Sequence, residues 1–226
     1  MDTSKAHCNK CGGERRHEVL RKEEKLWDED PEDDIPMHGG ETYEMLKCCG
    51  CETICLRHCS WDLDYTDERD QPRRYTTYYP PATFRQEPRW LMELHIALLG
   101  SNSSVPDLLQ EIYVAIQNDS LRLAVMGIRA LLEHVMIDKV SDRGTFQKNL
   151  DAFEEQGFVS KSQRTILESV LEAGHATIHR AFSPSRDELV ALIDITENVI
   201  ESIYLNELRA ARIAGKVPPR GAKKQG

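Results

Sequence analysis

From residue 106 onward, apolar residues fall three and four positions apart, the spacing that gathers side chains onto one face of an α-helix. The pattern predicts five helices. Asp107–Gln117 follows Pro106, Leu121–Val140 follows Asp119 or Ser120, Phe146–Gln156 follows Thr145, Lys161–Arg180 follows Ser160, and Arg186–Arg212 follows Ser185. An oxygen-bearing side chain just before a helix accepts from the unpaired N–H groups of its first turn, and Gly157 closes the third helix. Connections this short predict antiparallel neighbours, hence a helical bundle over residues 106–214.

Before residue 67 the rhythm changes. Strand-like alternation occurs at Arg16–Leu20, Thr42–Leu46 and Thr53–Leu56. Between the first two lies Glu23–Asp34 (EEKLWDEDPEDD), read as a solvated acidic loop. Asp67–Pro88 is rich in Arg, Tyr and Pro, and its prolines predict an extended strap rather than a helix. The Arg and Tyr side chains of the strap suit either packing on the second domain or stacking on RNA bases, and Trp90-Leu91 reads as an anchor. The expected organisation is therefore 1–66, 67–105, 106–214, and a basic, disordered tail at 215–226 containing Pro218 and Pro219. The fold class is mainly α, with a β module in front.

Seven cysteines fall within the first 59 residues and none follows. No apolar run approaches the ~20 residues that span a bilayer, and the N-terminus lacks the apolar stretch of a signal peptide. The expectation is thus a cytoplasmic protein with no membrane partner, where clustered thiols point to metal rather than to disulfides. Cys8-x-x-Cys11 and Cys48-x-x-Cys51 form two CxxC turns with adjoining glycines. Such turns aim four thiolates at one ion while backbone amides support the sulfurs, the layout of a zinc ribbon. One structural Zn²⁺ per chain follows, since four sulfur ligands leave no open position for substrate. Cys49, Cys55, Cys59 and His58 remain over. The formal net charge of −9 argues against a protein that coats nucleic acid by charge alone, but a small basic pocket can still act on RNA.

The predicted fourth helix contains LESVLEAGHATIHRAF, with His175 and His179 one turn apart and Arg180 next to them. Imidazole titrates nearest neutrality and guanidinium stays charged, so the group can move protons and hold a phosphate. The competing reading is two histidines bonded inside a core. On the second helix, Arg129 and Glu133 stand four apart at the border of an apolar face. Gly174 inside a helix, at ~1 kcal/mol relative to Ala, indicates close approach of another group. Arg129 and Glu133 are expected to face that point and orient the imidazoles; the alternative is a solvated pair. A zinc hydrolase on His175 and His179 is disfavoured, because Ala176 stands where the general-base Glu belongs.

The paired CxxC turns, the strap ending in Pro88-Arg-Trp90-Leu91, LRLAVMGIRALLEHV, GTFQKNL and GHATIHRAFSPS together resemble an uncharacterised bacterial family that fuses a zinc ribbon to a HEPN-like helical domain. The resemblance covers nearly the whole chain. It implies a HEPN-like bundle, usually dimeric, of a kind that includes many metal-independent ribonucleases in toxin, RNA-processing and anti-phage systems. The signature of that superfamily is an Arg, a polar residue, a short gap and a His. It maps His onto His179 and the polar position onto His175, while the Arg position falls on Gly174. Arg180 or Arg129 is left to supply the charge.

By this resemblance His179 and His175 share the acid and base roles, Arg180 or Arg129 holds the phosphate, and Glu133 orients. The ribose 2′-hydroxyl attacks the adjacent phosphorus and leaves a 2′,3′-cyclic phosphate. RNA would be the substrate, a homo-oligomer (dimer or larger) the working form, and a protein trigger the ligand of the ribbon. The other class consistent with these residues is a non-catalytic module that dimerises and binds a protein or nucleotide.

Overall fold

The computed structural model describes residues 2–29, 37–66 and 71–217. They form two compact units, Met1–Gln86 and Glu87–Gly226.

The first unit is a five-stranded antiparallel sheet in which each strand pairs with the next: β1 (Thr3–His7), β2 (Glu14–Glu29), β3 (Met37–Cys48), β4 (Ile54–Thr66) and β5 (Pro72–Tyr79). The predicted Arg16–Leu20 and Thr42–Leu46 lie inside β2 and β3, and all of Thr53–Leu56 but its first residue lies in β4; the three strands run much further than alternation indicated. The predicted acidic loop is corrected over Glu23–Glu29, which is strand; its remainder at 30–34 lies outside the described residues. Pairing explains the strand: Glu23 stands opposite Tyr43, Glu24 opposite Thr42 and Lys25 opposite Glu41. A polar segment becomes strand when its partner supplies β-formers and opposite charge. The strap is corrected in the same way. Pro72–Tyr79 is an edge strand on β4, while residues 67–70 lie outside the described set.

The buried side chains of this sheet gather at its cysteine end, Ala6, Cys8, His17, Leu46 and Cys48, while Gly39 and Gly40 are buried further along β3. Most of β3 and β4 is only half-buried, and modules with so small a core commonly rely on a metal or a disulfide.

The second unit holds the helices: α1 (Leu91–Ala97), α2 (Val105–Gln117), α3 (Leu121–Val140), α4 (Phe146–Glu155), α5 (Lys161–His179), α6 (Arg186–Ile200), a π-helical turn (Glu201–Leu205) and α7 (Asn206–Ala214). Thr145 caps α4, and Ser160 with Gln163 and Ser185 with Glu188 form capping boxes on α5 and α6. Ser120 occupies the N-cap of α3 without a side-chain cap bond. α3 packs against α2, α4, α5 and α6. Its buried face of Ala124, Val125, Ile128, Leu131, Leu132, Val135, Met136 and Val140 makes it the axis of the core.

Two departures concern the ends of this unit. The anchor at Trp90-Leu91 opens a short helix, α1, with Leu91 and Leu94 buried and Glu93 bonded to Arg209 at 2.7 Å and Arg212 at 3.0 Å. The single helix expected over Arg186–Arg212 is interrupted by the π turn. Of the predicted tail, residues 218–226 lie outside the described set. Among the described residues no helix is long and apolar enough to cross a membrane.

Candidate functional site

In the first unit, the tight turns after β1 and β3 converge. The Cys11 amide lies 3.4 Å from Cys8 Sγ, on which it donates, and the Cys8 amide donates to Gly13 O at 2.9 Å across the turn. Gly12 and Gly13 take the left-handed backbone this turn requires, at φ +70° and +77°. The result is a four-thiol cluster: the Sγ atoms of Cys8, Cys11, Cys48 and Cys51 all lie within 4.8 Å of one another. Cys8 and Cys51 are 3.5 Å apart, and Cys11 and Cys48 are 3.9 Å apart. Four sulfurs around one tetrahedral ion at ~2.3 Å stand ~3.8 Å apart, so the donor set and its spacing suit a metal ion such as zinc. None of the seven cysteines is in a disulfide.

Thiolate chemistry is prepared at one corner. The Thr53 hydroxyl and amide bring the Cys51 thiol down to about 6, whereas contact with the Cys51 sulfur and desolvation push Cys11 up to about 12. Of the leftover residues, Cys49 is exposed, Cys55 and Cys59 are half-buried, and His58 stacks on Tyr43 with ring centroids 4.5 Å apart. None of these joins the cluster.

In the second unit, α5 carries His175, His179 and Arg180, and all three are exposed. The reading of core-bound histidines is therefore overturned. Leu167, Val170, Leu171, Gly174 and Thr177 take the buried face, and the histidines fall on the flank. The two rings lie 4.6 Å apart by centroid, tilted by 44°. Arg180 is engaged by Glu172, whose carboxyl is held below its usual range chiefly by that guanidinium, with His175 and Arg129 adding to the effect.

Arg129 faces α5 at Gly174. A methyl group built on Gly174 would sit 2.6 Å from Arg129 Cβ, so glycine is what lets α3 and α5 approach this closely. The Arg129 guanidinium donates to Leu171 O at 2.8 Å and lies over the Phe146 ring, 4.7 Å from its centroid. Glu133 is half-buried one turn further along, but among the described residues no hydrogen bond or ion pair joins it to either imidazole. Its expected orienting contact is absent from this chain's own geometry. The Arg129–Glu133 pair is likewise not an ion pair, because Arg129 has turned to α5 and Phe146.

An open groove of about 600 Å³ runs beside these residues, lined among others by Arg129, Phe146, Gln147, Glu168, Glu172 and His175. Three separate sequence motifs meet there: GIRALLEHV through Arg129, GTFQKNL through Phe146 and Gln147, and GHATIHRAF through His175. Phe146 and Glu172 were not anticipated as site residues. Glu172 stands three positions before His175 on the same face, a signal that could have found it, whereas Phe146 is brought in only by the packing of α4 on α3.

Residues 110–218 match the family described as Domain of unknown function (DUF4145). Comparison with curated proteins and with solved structures gave no match. The matched span takes in α3 to α7, and with them Arg129, Glu133, His175, His179 and Arg180; the four-cysteine cluster lies outside it.

Proposed function

We propose that this chain is a regulated, metal-independent endoribonuclease with a HEPN-like helical domain, acting as a toxin-like effector in anti-phage defence. The N-terminal module is its zinc ribbon, which senses a partner or assembles subunits in the cytoplasm. The observation that carries the reading is a pair of exposed imidazoles with ring centroids 4.6 Å apart, of which His175 lines a groove that also holds Arg129. An acid, a base and a cation next to an open groove are the minimum for 2′-hydroxyl attack on an RNA phosphodiester.

Displacement at phosphorus runs in line, with the attacking and leaving oxygens on opposite sides. His175 and His179 stand side by side on one helix flank, so one chain's pair reaches a phosphate from one side only. A second copy supplies the opposite side, and assembly thereby becomes the switch that keeps the enzyme silent until triggered. One imidazole removes the 2′ proton, and the second copy's imidazole protonates the departing 5′ oxygen. Arg180 is free to turn to the phosphate, since an exposed pair such as Arg180–Glu172 is held by little. The zinc is structural, closed by Cys8, Cys11, Cys48 and Cys51, and takes no part in cleavage.

A second reading, a non-catalytic module that dimerises and binds a protein or nucleotide, is favoured by one observation. The Arg129 guanidinium is already committed to Leu171 O and Phe146, and Gly174 stands at the motif's Arg position. Induction of wild type and His179→Ala, with and without phage challenge, followed by sequencing of RNA ends, separates the two. Toxicity or protection that disappears with His179, together with new cyclic-phosphate ends, supports the nuclease. Identical behaviour with intact RNA leaves the binding module.

A further inference from the structure

The chain is acidic as a whole, yet the segment that closes the sheet is basic. Residues 72–86 (PRRYTTYYPPATFRQ) carry Arg73, Arg74 and Arg85 and no acidic residue, against a net charge of −9 for the protein. The first eight of these form β5, the last strand of the sheet. Among the described residues no strand pairs with its outer edge, and six of its eight residues are exposed, Pro72 and Tyr78 being half-buried.

Alternation along a strand sorts these side chains by face. Arg73, Tyr75, Thr77 and Tyr79 share one face, and Tyr75 and Tyr79 are exposed at 49% and 54%. Four residues of strand place the two rings about 14 Å apart. The Arg73 guanidinium lies 5.4 Å from the Tyr75 ring centroid, so a cation and a π surface are presented together. Nothing in the core requires this: two exposed tyrosines on a sheet edge contribute little to folding, and an edge left open is commonly guarded by charge alone. The strip is also held in place. Asn9 donates to Pro81 O at 2.8 Å and accepts from the Thr83 amide at 3.0 Å, which ties the segment after β5 to the cysteine turn.

We propose that this face of the β5 edge is a binding surface for single-stranded RNA, with Tyr75 and Tyr79 stacking on bases and Arg73 meeting phosphate. Cations that follow a backbone and aromatic rings that accept any base are the shared chemistry of sequence-tolerant single-strand binders. The other face of β5, with Arg74, Thr76 and Tyr78, lines a cleft shared with Glu14, Glu24 and Glu44, so the surface open to an anion is the face of Arg73, Tyr75 and Tyr79. The inference rests on the nuclease reading for its choice of RNA, and names the surface that gathers the substrate.

The test is fluorescence anisotropy of a labelled oligouridylate of about 20 nucleotides with the full-length, zinc-loaded protein. Wild type should bind, more weakly as salt rises. Tyr75→Ala with Tyr79→Ala should weaken binding by roughly five-fold to a hundred-fold per ring, with zinc content and circular dichroism unchanged. Cleavage is read separately, from the RNA ends produced by wild type and by the double tyrosine variant, so that loss of cleavage and loss of capture are told apart. Equal binding by the double tyrosine variant, or no binding by wild type at low salt, overturns the proposal. So does preferential binding of a glutamate-rich peptide at the same residues, which would make the edge a site for an acidic protein strand.

Discussion

Replacing Gly174 by Ala tests the contact on which the site geometry depends. In an isolated helix this change stabilises by ~1 kcal/mol, because Ala is the better helix former. Here the new methyl would lie 2.6 Å from Arg129 Cβ, 3.1 Å from Cδ and 3.2 Å from Cγ. The nearest of these is carried rigidly on the α3 backbone, so rotating the arginine does not relieve it and the two helices must separate. Overpacking of this kind costs ~1–3 kcal/mol, and a contact with a backbone-fixed atom belongs in the upper part of that range. The net expectation is a loss of about 1–2 kcal/mol, equal to a melting point of the helical unit lower by roughly 3–8 °C. Thermal unfolding followed by circular dichroism reads it directly.

The arginine background sharpens the test. Arg129→Ala keeps the Cβ, so Gly174→Ala should still destabilise it. Arg129→Gly removes the Cβ, and there Gly174→Ala should become neutral or stabilising. A melting point that rises on Gly174→Ala in the wild-type background would refute the close approach of α3 and α5.

Two further outcomes follow from other parts of the chain. Cys48→Ser should lower zinc content from one ion per chain and abolish the tertiary signal of the sheet while the helical signal persists, since structural zinc contributes on the order of 10 kcal/mol to such modules; retention of full zinc would remove Cys48 from the ligand set. The Glu93 carboxyl is held below its usual range first by the Arg209 guanidinium and then by Arg212. Its folded value is the lower one, so its contribution is present above the ordinary Glu range near ~4.3 and is lost as pH falls through the folded value. Melting points of wild type should therefore drop more steeply than those of Glu93→Gln between about pH 5 and pH 3, and parallel curves would rule the interaction out as a stabilising one.

Helices were legible where their ends are written locally. Ser160 with Gln163 and Ser185 with Glu188 are capping boxes four residues long, and α5 and α6 begin where these say. Gly174 likewise declared a close approach, because an interior glycine has few other reasons to be there. The strands were legible only in part. β2 from Leu20 to Leu26 and most of β5 are exposed on both faces, so no buried side imposes a period of two there, and only the partner strand reveals them. At the site, the flank carrying His175 and His179 follows from helical spacing. That Arg129 turns to Leu171 and Phe146 rather than to Glu133 depends on how α3, α4 and α5 pack, which no local pattern encodes.

The π turn at Glu201–Leu205 has a consequence for the phase of the last helix. A π turn behaves as one residue inserted into an α-helix, and each residue advances the face by about 100°. Leu189, Ile193 and Ile200 thus point to the core in one frame, while Arg209 and Arg212 meet Glu93 in another. Loss of a single residue between 201 and 205 would restore a regular helix and swing both arginines away from α1. α7 is held to its helical unit by a shift of reading frame, not by additional apolar surface, for it buries no residue of its own.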